Sequence, residues 1–573
     1  MAKINPADIF KRYVVRSLKM KLQPYYMKAA NFAFEKRAYQ AWIAANEPDT
    51  SALMAQRAFR FNYMPQFAVI CVADKFECPT RMIASLNKQT YARWRLYILC
   101  NGGALAGNCP DIEKNIVMID RALPPDEIIS LVDGDFIVTI GQGGILSPFA
   151  LYEIAASINA NPTGEFFYSD EDSIIGGKRA APHFKPDFSP DTLRSFNYIG
   201  QFSAIKRGLF FSEFFRSIED SYALTLGCAF KAALVVHISK VLYHTVDRKK
   251  GTRNEEALSA HLADAGVNAE LEQHPPGVFN VKYTIKATPL VSVIIPNKDN
   301  ADLLARCVKS IIYKTTYDRY EIVIAENGSS KEETFSLYDT LKMDKRIKII
   351  RWDADRGPFN YSRVNNYAAR ASGGEILLLL NNDIEVVNGD WLVNMLRHAV
   401  REEIGAVGAK LYYPDGTIQH GGIAVGVGGI AVEYYKGYGG KGVGYFNRLL
   451  AVHNVSAVTG ACLMLKRELF DRVNGFDESF ALAYNDVDLC LRLMAQGYRT
   501  VWTPYARLIH SESRTRGYET TPAQRQRLEE ESIRFTSRWG HVLKQGDPYY
   551  NPNLSRKRGD FTVCSDCPAS VRP

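Results

Sequence analysis

Gly374 to Val387 reads GEILLLLNNDIEVV. A glycine and an acid precede an unbroken apolar run, Ile376 to Leu380, which gives way to Asn381-Asn382-Asp383. A short continuous apolar run bounded by turn residues reads as a strand buried on both faces, the kind a parallel sheet needs. The same phrase occurs earlier in the chain. Gly134 to Ile154 reads GDFIVTIGQGGILSPFALYEI: a glycine, an acid, the apolar run Phe136 to Ile140, then a turn. The later copy ends its strand in Asn-Asn-Asp and the earlier one in Gly-Gln-Gly-Gly, so only one of the two strand ends carries a carboxylate.

The surroundings of the two phrases also match. From Phe67 the chain alternates apolar strands and helical segments, "FAVICVAD", "RMIASLNKQT", "WRLYILCNG", and from Val291 it does so again with "VSVIIPNKDN", "LLARCVKSII", "YEIVIAENGSS". This is βαβ grammar and predicts parallel sheets with crossover helices. "VVHISKVLYH", ending at His244, parallels "YRTVWTPYARLIH", ending at His510, and the acidic "IEDSY" parallels "YNDVD". Matches in the same order indicate a diverged internal duplication. The segmentation that follows is a helical lead-in over 1–62, a first α/β domain over 63–275, a Pro/Gly/Thr-rich linker over 276–289, a second α/β domain over 290–545 and a tail over 546–573.

A chain of 573 residues is too long for one core, and its length favours about three to four domains. An apolar fraction of 46% and a charged fraction of 23% are those of globular protein. The net charge of +8 suits anionic ligands such as nucleotide phosphates, or an anionic membrane surface, without selecting between them. No apolar run approaches the roughly 18 residues needed to span a bilayer, and no signal-peptide pattern opens the chain. The ten cysteines follow no framework, which reads as reduced thiols in a cytoplasmic protein. Cys564 and Cys567 form a lone CxxC, half a zinc site at most, in what reads as an unstructured tail. The basic amphipathic stretches before residue 60 fit a helix packed on the next domain, or a face resting on a membrane.

Residues 291 to about 517 resemble a family 2 glycosyltransferase of the GT-A fold. The resemblance rests on "VSVIIPNKDN", "IAENGSS", "PFNYSRVNNYAARASGGEILLLLNNDIEVV", "GAVGAKLYYPDGTIQHGG", "NVSAVTGACLML", "NGFDESF", "YNDVDLCLRL" and "WTPYARLIHSES". Residues 67 to about 255 resemble the same family more distantly, through "YSDEDSI", "FKPDFSPDTLRSFNYIGQ" and "VLYH". Tandem arrangements of this kind are similar to bacterial enzymes that build O-antigens, capsules and rhamnose-rich polysaccharides. The expected fold is α/β: two Rossmann-like, mostly parallel GT-A domains in tandem behind a helical segment.

Ligands of open α/β sheets sit beyond the carboxyl ends of strands, where Asn381 and Asp383 fall. A divalent cation bridging a diphosphate takes one or two protein carboxylates, although Asn and Asp also suit a plain turn. The resemblance implies that Asp383 and His510 hold Mn²⁺ or Mg²⁺. It implies that Pro296, Asn297, Glu326, Asn327, Asn366, Asn381 and Asn382 contact the donor nucleotide, with Glu326 standing where the family usually has Asp. Inverting transfer needs a carboxylate to take the acceptor hydroxyl proton. The family position for it is Asp486, with Asp488 orienting the acceptor, although a carboxylate at a helix start is also simply a cap. Arg514 and Arg516 could clamp phosphates on a closing loop or form a solvated charge cluster.

In the first copy, Gly141 and Gly143 occupy the strand end, with Gly143 at the place of Asp383, while Asp220 and His244 remain. Asp133-Gly134-Asp135 lies at the opposite edge of the sheet. The first domain therefore reads as a degenerate transferase, with a metal-independent transferase as the rival. The implied function is transfer of a sugar from a nucleotide-diphosphate donor (dTDP-rhamnose, or a UDP- or GDP-sugar) to a growing cell-surface polysaccharide or lipid-linked oligosaccharide. The chain would work in the cytoplasm, with peripheral contact to the inner face of the membrane and oligomerisation left open, and no nucleic-acid partner. A carbohydrate-binding scaffold with two inactive domains is the non-enzymatic alternative. A nucleotidyltransferase would need a Gly-rich basic loop after the first strand, and "PNKDNADLL" is not one.

Overall fold

A computed structural model describes residues 37–73, 80–100, 115–141, 143–217, 220–246, 254–273, 275–352, 359–511 and 521–564. Its first sheet contains β1 (Phe67–Ala73), β2 (Trp94–Cys100), β3 (Ile116–Asp120), β4 (Phe136–Thr139), β5 (Ile145–Leu146), β6 (Phe166–Ile175), β7 (Lys178–His183), β8 (Ser203–Lys206) and β9 (Val235–Thr245). A hairpin follows, β10 (Ala269–Gln273) and β11 (Phe279–Tyr283). The second large sheet draws on β12 (Val291–Asn297), β13 (Tyr320–Glu326), β14 (Ile347–Arg351), β15 (Ile376–Leu380), β16 (Ile384–Val386), β17 (Ile404–Tyr412) and β18 (Ile418–His420). A small pair, β19 (Ile423–Val425) and β20 (Ala431–Glu433), stands beside it, and β21 (His453–Val455), β22 (Cys462–Lys466) and β23 (Arg499–His510) complete it.

The duplication read from the sequence is present strand for strand. The first sheet runs β3-β2-β1-β4-β8-β6-β9-β5 and the second β14-β13-β12-β15-β22-β17-β23-β16. Each pairing keeps its sense: β1 is parallel to β2 and β4, as β12 is to β13 and β15, and β4–β8 and β15–β22 are both antiparallel. The central strands β1, β12 and β15 are largely apolar because both of their faces are packed. Along the second sheet, Ile294, Leu377 and Leu379 enter one core, while Val293, Ile295, Leu378 and Leu380 enter the other. The glycine that opens each phrase is a packing requirement. A Cβ on Gly374 would lie 2.6 Å from the Ser292 backbone nitrogen, and one on Gly134 2.8 Å from that of Ala68. Asp135 accepts from the Gln66 amide at 2.7 Å, at the start of the sheet and away from any site.

Two parts of the segmentation need correction. The stretch 276–289 is not a bare linker, because β11 pairs antiparallel with β10 and Tyr283 packs under the Arg401 guanidinium at 4.2 Å. The stretch from 546 is not an unstructured tail as far as Cys564. Asp547, Asn551 and Asn553 are buried, and Asn551 donates to both Asp170 oxygens at 3.0 Å. Polar side chains there satisfy acids elsewhere, a role that leaves no apolar periodicity to read. Cys564 is disulfide-bonded, whereas Cys71, Cys100, Cys228, Cys307, Cys462 and Cys490 are free and buried. Cys567 and the stretch before residue 37 lie outside the described residues. Residues 37–46 are helical, and Tyr39 and Trp42 pack on Phe184. No described helix is long and apolar enough to cross a membrane.

The two halves share one buried junction. Asp191 of the first, with a side chain 1% exposed, meets Arg401 of the second at 2.5 Å and Arg499 at 3.6 Å. Asn454 adds its amide at 2.8 Å. Nearby, the Tyr445 hydroxyl donates to Pro182 O at 2.6 Å and accepts from the Phe184 amide at 2.9 Å, and His183 stacks on Phe446. Burial alone would raise the Asp191 carboxyl, but Arg401 and Arg499 hold it well below the usual carboxylate range. A carboxyl depressed in the folded state stabilises above its unfolded value of about 3.9, and the contribution fades as pH falls through the folded value. Asp191→Ala takes one of two anions from the buried Arg401, which keeps Glu403, and from the half-buried Arg499, and should cost about 1–3 kcal/mol. Thermal denaturation should show this loss at pH 7 and a smaller difference from wild type as the medium is acidified below about pH 4.

Candidate active site

The carboxyl edge of the second sheet gathers most of the residues singled out above. Because Ile384 pairs with His510 across β16 and β23, the residue before Ile384 faces the imidazole. That residue is Asp383, whose Oδ1 lies 3.2 Å from His510 Nε2. Asn381 Nδ2 approaches the same nitrogen at 3.4 Å. Both members of the pair are buried, and His510 Nδ1 has no hydrogen-bond partner among the described residues.

Deeper in the edge, a chain of polar groups fixes the ends of β12 and β13. Glu326 accepts from the Ser329 amide and the Tyr338 hydroxyl, both at 2.5 Å, and from Ser329 Oγ at 2.6 Å. Asn297 donates to Tyr338 at 2.8 Å and accepts from Asn382 at 2.7 Å, and the Asn327 amide donates to Asn297 O. Pro296 lies in register with Ala325, one step back along β12. Glu326 thus shapes the edge through Tyr338, a residue with no sequence signal because it arrives from the helix Glu332–Leu341.

Asp486 sits in the first turn of the helix Asn485–Ala495. It accepts from the Gly460 amide through Oδ2 and from its neighbour Val487 through Oδ1, both at 2.8 Å. Ala461, next to Gly460, accepts from the Asn381 amide at 3.1 Å. Adjacent residues therefore tie the strand end of Asn381 to Asp486. Burial raises the Asp486 carboxyl above its ordinary range and Glu433 adds to this, while the two amides and His420 oppose it.

Asp488 is corrected by the structure, and Asn366 takes a further role. Asp488 is 0% exposed, and its oxygens are taken by Arg492 at 2.7 Å, Arg538 at 2.8 Å and Trp539 at 2.9 Å, so it tethers two helices and presents no oxygen to an acceptor. Asn366 donates to Phe476 O at 2.9 Å and accepts from the Phe476 amide at 2.9 Å, which makes it a latch for that loop. The sequence also concealed Glu531. From the helix Pro522–Gln545 its carboxylate accepts from the amides of Ala481, Leu482 and Ala483, the approach to Asp486. Arg514 and Arg516 lie outside the described residues.

The equivalent edge of the first domain is filled. Ile145 pairs with His244 as Ile384 pairs with His510, so Gly144, and not Gly143, faces the histidine. The first copy has one residue more in this turn. A Cβ at Gly144 would lie 2.3 Å from the Tyr243 ring, and one at Gly141 would lie 1.9 Å from Gln201 Oε1. Asp220 caps the helix Ser221–Lys231, accepting from the Tyr222 and Ala223 amides. The acid brought to His244 is instead Asp172, at 2.5 Å, which also binds Arg179 at 2.6 Å and the Tyr39 hydroxyl at 2.5 Å. Asp172 stood in "YSDEDSI" and could have been singled out there.

Residues 292–473 match the family model described as Glycosyl transferase family 2. This segment is a glycosyl transferase family 2 domain. The chain is 38% identical over 520 residues to the uncharacterized protein y4gI of Sinorhizobium fredii, covering 84% of this chain and 57% of that one. It is 36% identical over 553 residues to the O-antigen biosynthesis protein RfbC of Myxococcus xanthus, covering 90% of this chain and 42% of that one. The chain thus spans about half the length of these relatives. A solved mannosyltransferase from Pyrobaculum calidifontis, in complex with GDP-Man and Mn²⁺, aligns with a TM-score of 0.33 at 20% identity over 45% of this chain and 65% of its own. The family 2 segment contains Asp383 but ends before Asp486 and His510, which reach the same edge from outside it.

Restoring an acid to the first copy should fail. Gly144→Asp forces the Tyr243 ring out of a packed position and should cost about 1–3 kcal/mol, read as a lowered midpoint in urea, without creating a cation site.

Proposed function

We propose that the second domain transfers a sugar, with inversion, from a nucleotide-diphosphate donor to a hydroxyl of a growing bacterial cell-surface glycan, and that the first domain does no chemistry. The observation that carries this reading is the tie between Asn381 and Asp486 through Ala461 and Gly460. It sets the donor half and the proton-accepting half of a transfer reaction at one sheet edge. On this reading the diphosphate lies over Asn381–Asp383, the base is bounded by the Glu326–Tyr338–Asn297 chain, and the acceptor hydroxyl gives its proton to Asp486. A buried carboxyl with raised proton affinity suits that task, because a general base works best when its pKa is near the working pH.

Asp383 and His510 fit a divalent cation. One offers a hard oxygen, the other a ring nitrogen 3.2 Å from it. Among the described residues no cluster of three or more His, Cys, Asp or Glu could hold a metal by itself. Diphosphate oxygens would complete the shell, as they do for cations held by one or two side chains. When bound, the cation neutralises charge on the departing nucleoside diphosphate.

The family and the match to an O-antigen biosynthesis protein support the glycan acceptor. For the first domain, Tyr243 and Gln201 filling the strand end, and Arg179 and Tyr39 neutralising Asp172, favour a supporting role over metal-independent transfer.

Release of nucleoside diphosphate, screened across UDP-, GDP- and dTDP-sugars, tests the proposal. Turnover should vanish in chelator and return with Mn²⁺ or Mg²⁺, and Asp383→Ala should remove it while leaving the melting temperature close to wild type. Asp486→Asn keeps the size of the side chain but not the base and should lose about 10²–10⁴-fold in kcat with donor binding retained. His244→Gln should leave turnover intact. Full activity in chelator, or in Asp486→Asn, contradicts the assignment.

A further inference from the structure

His420 closes β18 and is 0% exposed. Its Nδ1 is in short contact with a Glu433 carboxylate oxygen, and its Nε2 is buried with no hydrogen-bond partner among the described residues. An imidazole held at one nitrogen by a carboxylate and left open at the other is the arrangement by which proteins orient a proton-handling ring. Its place in the fold is specific. Ile423, three residues on, exchanges a bridge with Ala457 and donates its amide to Ala457 O at 3.0 Å. Three residues after Ala457 comes Gly460, whose amide holds Asp486. Glu433 ends β20, which pairs with β19 through Ile423 itself. The pair is therefore built into the wall that carries the cradle of Asp486.

We propose that His420 and Glu433 are positioning residues for the transfer reaction, a buried imidazole–carboxylate pair that sets the charge against which Asp486 works. The inference rests on the reading of Asp486 as the base. Asp486 is bonded by the amides of Gly460 and Val487, and the charges that act on it come from Glu433 and His420 of this wall, with Cys490 on its own helix. The Tyr361 hydroxyl lies behind them, donating to Gly460 O at 2.8 Å. Of the two members of the pair, Glu433 favours the protonated form of Asp486 and His420 opposes it, so removing one member should move the base in the direction opposite to removing the other.

The test is the acid limb of the kcat–pH profile, followed by nucleoside diphosphate release from whichever sugar nucleotide of the panel is turned over. His420→Gln should shift that limb to higher pH by about one unit, and Glu433→Gln should shift it to lower pH. Both glutamines keep the size of the residue they replace, and a common melting temperature would confirm an intact wall. A second measurement does not need turnover: the side-chain ¹⁵N shifts of labelled histidines, with His420 assigned by its loss in His420→Gln. The ¹⁵N shifts of His420 at a fixed pH should change when Asp486 becomes Asn. Acid limbs that coincide with wild type, or a His420 signal indifferent to Asp486→Asn, overturn the proposal. If no sugar nucleotide is turned over by the wild type, the transferase reading fails, while the histidine ¹⁵N shifts still decide whether the pair and Asp486 are coupled.

Discussion

One buried carboxylate joins the two halves of this chain. Asp191 leaves the first domain and is neutralised by Arg401 and Arg499 of the second, with Asn454 taking what remains of its hydrogen-bonding capacity. A charge so deeply placed is tolerated only where its partners are fixed, so it demands a single docking geometry. The aromatic contacts around it follow from that geometry. Tyr445 bridges Pro182 and Phe184, His183 lies on Phe446, and Arg448 packs between Tyr434 and Phe561. The stretch from Tyr434 to Asn454, which neighbours the wall of Asp486, is thereby held from the first domain's side. The first domain thus helps to fix the geometry of the second.

The duplication shows how a fold outlives its site. Both copies keep the strand order, the strand senses and a histidine opposite the same turn. In one copy the strand end offers a carboxylate beside that histidine. In the other the carboxylates have turned inward. Asp170 is satisfied by His237, Asn551 and Asn553, Glu171 by Lys185, and Asp172 by His244, Arg179 and Tyr39. Each is neutralised by a cation or an amide, several from distant parts of the chain. These acids stitch segments of the chain together.

What the sequence made readable were the properties carried by neighbours in the chain. The strands declared themselves by apolar runs, the duplication by repeated order, and Asp383 and His510 by where strands end. What it hid depends on partners far away. Asp488 looks like an acid at a helix start, and only Arg538 and Trp539, some fifty residues on, make it a tether. Asn366 looks like a polar residue on a helix facing the site until the loop at Phe476 closes on it, 110 residues later. The extra residue that makes Gly144 the counterpart of Asp383 is invisible to counting from one strand end and plain once both flanking strands are in register. The stretch after 546 could not be read at all, because polar residues that satisfy buried acids look the same in sequence as polar residues in water.

The bond between Asn551 and Asp170 spans 381 residues. On a ribosome the first domain emerges long before the segment that satisfies its acid, so for most of the synthesis time it exists with Asp170 lacking the two asparagines. Its sheet can assemble, since its strands are local, but its final closure waits for the segment that follows the second domain. That later-made segment thus acts as the seal on the earlier-made domain, and a chain halted after the second domain would leave the earlier half, not the later one, as the loose end exposed to proteolysis.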